Sequence, residues 1–296
     1  MDDRNSTHYG RNSTWPVNSG VIVFGWITLC IEFPVICWAI FALYHLVKND
    51  RVAPVYVINL LISDIIQLIG RLGFLIDFKK QPMCEIFAAV SAFGILASVV
   101  FMVCIALERY LVIVHPLWYR YRRTVRHSVL MSLIAWVSPF ILYLLAAISI
   151  HYSGHKDKAY LPLLIFFILP FPLLVFFLVA TWRALSRSTS VPVTERKRIL
   201  WILFLVLGNY ALLFFPVIIY DLIVLIHEGH EFNVNLLIKI GITLLFMSPL
   251  MDPLLYIFMR KDANDTLKVL PCCQRLIGRQ EPRQVARAES ENLTSV

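Results

Sequence analysis

Seven long apolar runs, separated by short polar links, organise this chain. Their limits fall near residues 20–47, 54–78, 83–114, 126–150, 160–185, 197–226 and 233–259. The links between them read KNDR, FKKQ, YRYRR, HYSGHKDK, RSTSVPVTERKR and HEGHEFN. Each run holds roughly 18 or more residues with few charges, the length at which a helix crosses a bilayer. In hydrocarbon a backbone must satisfy its own hydrogen bonds, so a helical bundle is the natural reading. The pattern predicts an all-α membrane protein with seven transmembrane helices over residues 20–260 and tails at 1–19 and 261–296. No internal repeat is apparent.

Composition agrees. The chain is 59% hydrophobic and 16% charged, against about 25% charged in a soluble domain. The net charge of +8 would fit a nucleic-acid partner, but its distribution does not. The links at 48–53, 115–126 and 183–198 and the tail from Arg260 carry 18 lysines and arginines, whereas the N-terminal tail and the other three links carry 6. The basic side is predicted to be cytoplasmic and the N-terminus outside. Two sequons, at Asn5 and Asn12, lie in that outer tail, where glycosylation occurs. The first twenty residues lack the apolar core of a signal peptide, so the first span would act as its own insertion signal. Cys30, Cys37, Cys84, Cys104, Cys272 and Cys273 form neither a zinc pattern nor a disulfide framework.

Polar residues inside the apolar runs carry the chemistry. A charged aspartate at the bilayer centre costs about 2.5–3.5 kcal/mol on insertion scales, so intramembrane acids are functional candidates by default. Asp64 is mid-span. Arg71, seven residues on, faces the same side and lies roughly 10 Å nearer the outside. It could receive a phosphate or carboxylate, or it could pair internally with Glu32 of the first span. Glu108 and Arg109 close the third run, followed by Tyr110.

Several local motifs fall in order on these spans. They are Asn59-Leu60-Leu61-Ile62-Ser63-Asp64 in the second, Cys84 opening the third, Glu108-Arg109-Tyr110 closing it and Trp136 in the fourth. Phe214-Phe215-Pro216 lies in the sixth and Asp252-Pro253-Leu254-Leu255-Tyr256 in the seventh. Together they resemble a rhodopsin-like (class A) G-protein-coupled receptor. With Val55-Tyr56 opening the second helix, the local variants look most like the branch holding nucleotide, lysolipid and proton-sensing receptors.

The resemblance implies roles. Glu108 holds Arg109 at rest, and on activation the sixth helix swings out and Arg109 turns into the opened G-protein cavity. A partly buried charge pair is modest in net energy and suits such a switch. Leu117 is the docking position after His115-Pro116. Arg196 stands near the place where many relatives carry an acid that also locks the arginine, so the lock here would rest more on Glu108. Arg196, Lys197 and Arg198 also read as membrane anchoring. Phe214 is the aromatic switch below Pro216, Tyr256 turns inward, and Pro216 and Pro253 supply kinks. Asp64, Ser98 and Asp252 match positions that surround a sodium ion. Two close carboxylates in low dielectric cannot easily both ionise, so they would share a cation or a proton. A purely structural polar network is the other reading. A heterotrimeric G protein is the implied partner, with arrestin beside it, and no covalent chemistry is expected.

Other features are less specific. Arg71, Ser91 and Lys239 are candidates for the ligand pocket, and Lys239 could equally face water. His8, His151, His155, His227 and His230 read as outside and titrate near physiological pH, although solvated loop histidines are common. His227-Glu228-Gly229-His230-Glu231 resembles a zinc-protease motif, but its second histidine comes one residue too early. Leu267 to Leu270 predict a short amphipathic eighth helix on the membrane. Cys272-Cys273 follow as a palmitoylation site or free thiols. The ending Leu293-Thr294-Ser295-Val296 resembles a PDZ-domain ligand.

Departures from the family pattern matter too. The link near 151–160 has no cysteine for Cys84. Alignment puts Ile36 where the family has a first-helix asparagine and Ala180 where it has a fifth-helix tyrosine. Phe246 replaces the lysine that binds retinal, and Ser91 the aspartate that receives amines, which argues against both ligand classes. A proton, a lysolipid or another small anion remains. The rival reading is a non-signalling seven-helix binding or scaffolding protein; a transporter would show inverted repeats, and none is apparent.

Overall fold

The computed structural model describes residues 19–49, 55–76, 81–117, 119, 125–153, 160–187, 193–226 and 235–259. The regular elements among them are helical: α1 (Ser19–Asn49), α2 (Val55–Ile76), α3 (Gln81–Val114), α4 (Val125–Ser153), α5 (Tyr160–Ile168), α6 (Pro170–Arg187), α7 (Val193–Ile226), α8 (Asn235–Phe246) and α9 (Ser248–Met259). Six spans among the described residues are long and apolar enough to cross a membrane. The fifth of these joins α5 to α6. The seventh apolar run folds as α8 and α9, two 12-residue pieces.

Both interruptions have a cause in the backbone. Pro249 follows Ser248 in the seventh run, and proline lacks an N–H and disfavours helix in the residue before it. The chain tightens at this point. Met247 N–H donates to the Leu244 carbonyl at 2.9 Å, and Leu250 N–H to the Met247 carbonyl at 3.0 Å. The Phe246 carbonyl thereby loses the donor a continuous helix would give it. Pro170 marks the corresponding turn at Leu169 between α5 and α6. Pro216 and Pro253 instead lie inside continuous helices. The interruptions therefore fall at prolines other than the two for which the sequence predicts kinks.

α3 is the axis of the bundle. Val99, Phe101, Met102, Ile105 and Ala106 are all fully buried, and α3 packs on α2, α4, α6 and α7. The middle of an apolar helix buried on every side has no polar face to show, so the charges of α3 lie toward its ends, Glu85 near the start and Glu108 and Arg109 near the close. The outer helix faces expose Ile27, Phe33, Leu133, Phe140 and Ile165, as a surface solvated by lipid tails would. The bundle also has polar ties. Trp136 Nε1 donates to Asn59 Oδ1 at 2.9 Å, and the Trp136 ring packs against Phe93 and Phe101 of α3.

α2 and α3 meet backbone to backbone. A Cβ added at Gly94 would lie 2.8 Å from the Ser63 carbonyl oxygen and 3.0 Å from Gln67 N. One at Gly70 would meet the Ser91 backbone. Small residues let membrane helices approach this closely. Gly94→Val is expected to destabilise the protein by about 1–3 kcal/mol, the usual cost of overpacking. Gly208→Ala, with nothing within 4 Å of its added carbon, should be neutral or stabilising by up to about 1 kcal/mol. Melting of the purified protein in detergent checks both.

Candidate functional site

One face of α2 carries a column of buried polar groups: Ser63, Asp64, Gln67 and Arg71. Residues at this spacing share a helix face, and the face points into the bundle. At its upper end Arg71 forms an ion pair with Glu32 of α1. The Arg71 Nη1 donates to the Phe246 carbonyl at 2.6 Å, the acceptor freed by the turn at Met247. Its guanidinium also lies 5.1 Å from the centre of the Phe246 ring, within the range of a cation–π contact. One side chain thus joins α1, α2 and α8. Arg71 is 3% exposed and Glu32 0%. Of the two roles the sequence leaves open for Arg71, the geometry gives the internal pair. The other pocket candidates stand apart from it: Ser91 is half-buried on α3 opposite Gly70, and Lys239 half-buried on α8.

Lower on the same face, Asp64 meets Asp252 of α9. Both line a cavity of about 20 Å³ with Pro253, Leu43, Val57 and Leu60. About 10–15 Å³ suffices for one water, so this space matches a single small guest. Gln67 Nε2 donates to Asp64 Oδ1 at 3.4 Å, and Asn209 Nδ2 of α7 to Asp252 Oδ1 at 2.8 Å. Asp252 Oδ2 is buried and has no hydrogen-bond partner among the described residues. Carboxylate oxygens are the donors a small hard cation takes, and they equally accept a proton. The residues therefore fit a sodium ion, which Asp64 and Asp252 would hold. Ser98 is also fully buried, but its hydroxyl donates to Ile95 O at 2.8 Å on its own helix. Asn209 is a member of this group that sequence reasoning missed. Its signal was a lone amide in the apolar run of α7, legible only once α9 is known to face it.

A third group lies at the Val114 end of α3. Glu108 Oε1 accepts a hydrogen bond from the Tyr119 hydroxyl at 2.8 Å. Arg109 beside it is half-buried, and its Nε has no hydrogen-bond partner among the described residues. Tyr119 was also missed, being one of several aromatic and basic residues in its link. Tyr110 packs its ring against Phe176 and Phe177 of α6, with centroids 5.7 and 5.2 Å away. Leu117 is 85% exposed, as a docking residue must be. Further along α7, Phe214 is fully buried. It stacks on Phe167 of α5 at 5.3 Å, beside Tyr210 at 4.9 Å. Tyr210 donates its hydroxyl to the Phe167 carbonyl. Pro216 is half-buried two residues on, and Pro253 is buried.

His151 is exposed at the end of α4. Asn5, Asn12, His8, His155, His227, His230, Cys272, Cys273, the predicted amphipathic segment and the C-terminal ending lie outside the described residues, as does the side chain of Tyr256.

The buried pair carries a prediction. The desolvation of two ions offsets most of their attraction, but removing one partner strands a charge and costs about 3–5 kcal/mol. Glu32→Gln and Arg71→Met should each lower the melting temperature strongly. The double variant Glu32→Met/Arg71→Met should recover much of the loss. A double variant no better than the singles would show that the hydrogen bond to Phe246, and not the ion pair, dominates.

Comparison with known proteins places this geometry in context. Residues 34–256 match the family described as "7 transmembrane receptor (rhodopsin family)". The chain is 23% identical over 179 residues to the type-1 angiotensin II receptor B of Rattus norvegicus, covering 51% of this chain and 50% of that one. It is 30% identical over 152 residues to CX3C chemokine receptor 1 of Homo sapiens, covering 47% and 42%. It is 26% identical over 137 residues to G-protein coupled receptor 68 of Mus musculus, covering 44% and 36%. The chain thus spans half or less of the length of these curated relatives, and their names do not single out the nucleotide, lysolipid and proton branch. The matched segment covers most of the helical bundle, with Asp64, Asp252 and the Glu108-Arg109-Tyr110 end inside it, and the chain is a multi-pass membrane protein of the rhodopsin family of seven-transmembrane receptors.

Proposed function

We propose that this protein is a plasma-membrane receptor, N-terminus outside, that conveys an extracellular stimulus to a heterotrimeric G protein. The observation that carries this reading is the arrangement at the end of α3. Glu108 is held by Tyr119 while the neighbouring Arg109 keeps a buried, unpartnered Nε. A cation with donors to spare at a helix end is suited to take a new partner when the helices around it move. Leu117, exposed beside it, supplies an apolar contact for the same partner. Arrestin would meet the same face.

For the stimulus, the Asp64–Asp252 pair favours a proton over an anion. The pair lines a space for one small guest, whereas Arg71 is already engaged by Glu32. An added proton neutralises one carboxylate and removes the repulsion between them. Asparagine at either position mimics that neutral state. A second reading takes the stimulus from the relatives, two of which are named for angiotensin II and a chemokine.

Arg109→Glu should abolish G-protein nucleotide exchange while surface expression persists; normal exchange by that variant would refute the coupling reading. Stepping the outside pH from about 8 to 6, across the range where histidine also titrates, should raise second-messenger output in cells. Asp64→Asn and Asp252→Asn should each make the output independent of pH. A flat wild-type response would eliminate the proton and leave the ligands named for the relatives, or another small anion.

A further inference from the structure

The sixth and fifth spans leave a recess between them on the outside of the bundle. It measures about 460 Å³ and is lined by Val179 and Trp182 of α6 and by Leu200, Trp201 and Phe204 of α7, with Lys197 at its rim. Trp182, Trp201 and Phe204 are each more than half exposed, so the recess opens outward, toward the surrounding lipid. Among its described lining residues, Lys197 is the charged one. An apolar outer surface is ordinary in a membrane protein. A concavity of this size beside a single cation is not, and it falls within the roughly 300–1,000 Å³ of small-molecule sites.

Position narrows the guest. Lys197 is exposed in the first turns of α7, one helical turn before Trp201. Arg183 and Arg187 are exposed on the last turns of α6. The basic ends of both helices therefore stand at one level, with indole rings beside them, as at a membrane–water interface. A guest must bring an aliphatic body for the recess and negative charge for Lys197. Water-borne anions lack the first, and sterols lack the second.

We infer that the recess between α6 and α7 is a binding site for an anionic glycerophospholipid, with an acyl chain against Trp182, Trp201 and Phe204 and the headgroup at Lys197. Basic pockets between transmembrane helices on the cytoplasmic side bind such headgroups. In the cell the site depends on the orientation given under Proposed function, because anionic lipids are concentrated in the cytoplasmic leaflet.

The test uses the full chain purified in neutral detergent and doped with equal amounts of phosphatidylserine and phosphatidylcholine, with retained lipids counted by native mass spectrometry. Wild type should retain phosphatidylserine in about fivefold preference, the effect of one lysine near a headgroup. Lys197→Gln should bring the preference to parity. Leu200→Trp, which fills the recess, should lower retention of both lipids. Lys239→Gln, on α8, should leave the preference unchanged. Equal retention by wild type, a preference that survives Lys197→Gln, or displacement of phosphatidylserine by added cholesterol would each overturn the site. Should Leu200→Trp fail to fold, the exposed Lys197→Gln decides alone. Detergent removes any dependence on orientation, and the readout involves no G protein, so failure of the coupling reading would leave this result standing.

Discussion

A guanidinium in hydrocarbon must have partners, and Arg71 takes three of them at once. Glu32 supplies the opposite charge, the Phe246 carbonyl a strong acceptor and the Phe246 ring a polarisable face. Neutralising Arg71 in this way locks α1, α2 and the seventh run together at one depth. That depth sets the register of what lies below. Asp64 is seven residues from Arg71 along α2, and Asp252 is six residues from Phe246 along the seventh run. At about 1.5 Å per residue, the two distances agree to within about 2 Å. Pinning the upper ends therefore brings the two acids level. The turn at Met247 belongs to the same arrangement, because a continuous helix would have kept the Phe246 carbonyl for Leu250.

The ion pair also bears on how the bundle holds together at that end. Cys84 is buried and free, packed in a small cluster with Phe74 and Leu75 of α2. The family's usual covalent link from this position is not formed by the described residues. In its place α2 and α3 use contact. Gly70 and Gly94 let the two backbones approach so closely that a methyl group would collide at each, and Gly73 makes room for the Phe87 ring. Such close packing has low compressibility and transmits strain. α2 and α3 are thus in close contact along this stretch, and α1 and the seventh run are attached to α2 through Arg71.

The helical spans were legible because hydropathy is a property of the chain itself. The second run, read as 54–78, is Val55–Ile76; the third, read as 83–114, is Gln81–Val114; the fourth, read as 126–150, is Val125–Ser153. The acids were legible for the same reason, since a lone Asp in an apolar run stands out. Their partners were not. Asn209 faces Asp252 across 43 positions and Arg71 reaches Phe246 across 175, and no local pattern encodes such meetings. The helix breaks fall between these cases. Proline marks them, but Pro34 in α1, Pro139 in α4, Pro216 in α7 and Pro253 in α9 sit within continuous helices. At the break before Pro249 the Phe246 carbonyl, left without the Leu250 N–H by the tightened turn, is taken up by Arg71.

α7 is restrained at two adjacent residues. Asn209 ties it to Asp252 of α9, and Tyr210, the next residue, ties it to the Phe167 carbonyl of α5. Both ties sit within one turn, six and seven residues before Pro216. Any swing of the lower part of α7 about Pro216 has to break or carry both. Breaking a buried hydrogen bond strands its acceptor at a cost of about 1–3 kcal/mol, enough to hold a resting arrangement and small enough for one binding event to overcome. Of the two, the bond to Asp252 would be the adjustable one under the proposed sharing of a proton or cation with Asp64, because its acceptor is a carboxylate. A proton or cation in the 20 Å³ space would weaken that acceptor while leaving the Tyr210 bond as it is. With such a guest, part of the strength with which α7 is held would be set at the acid pair, some distance from the Arg109 end.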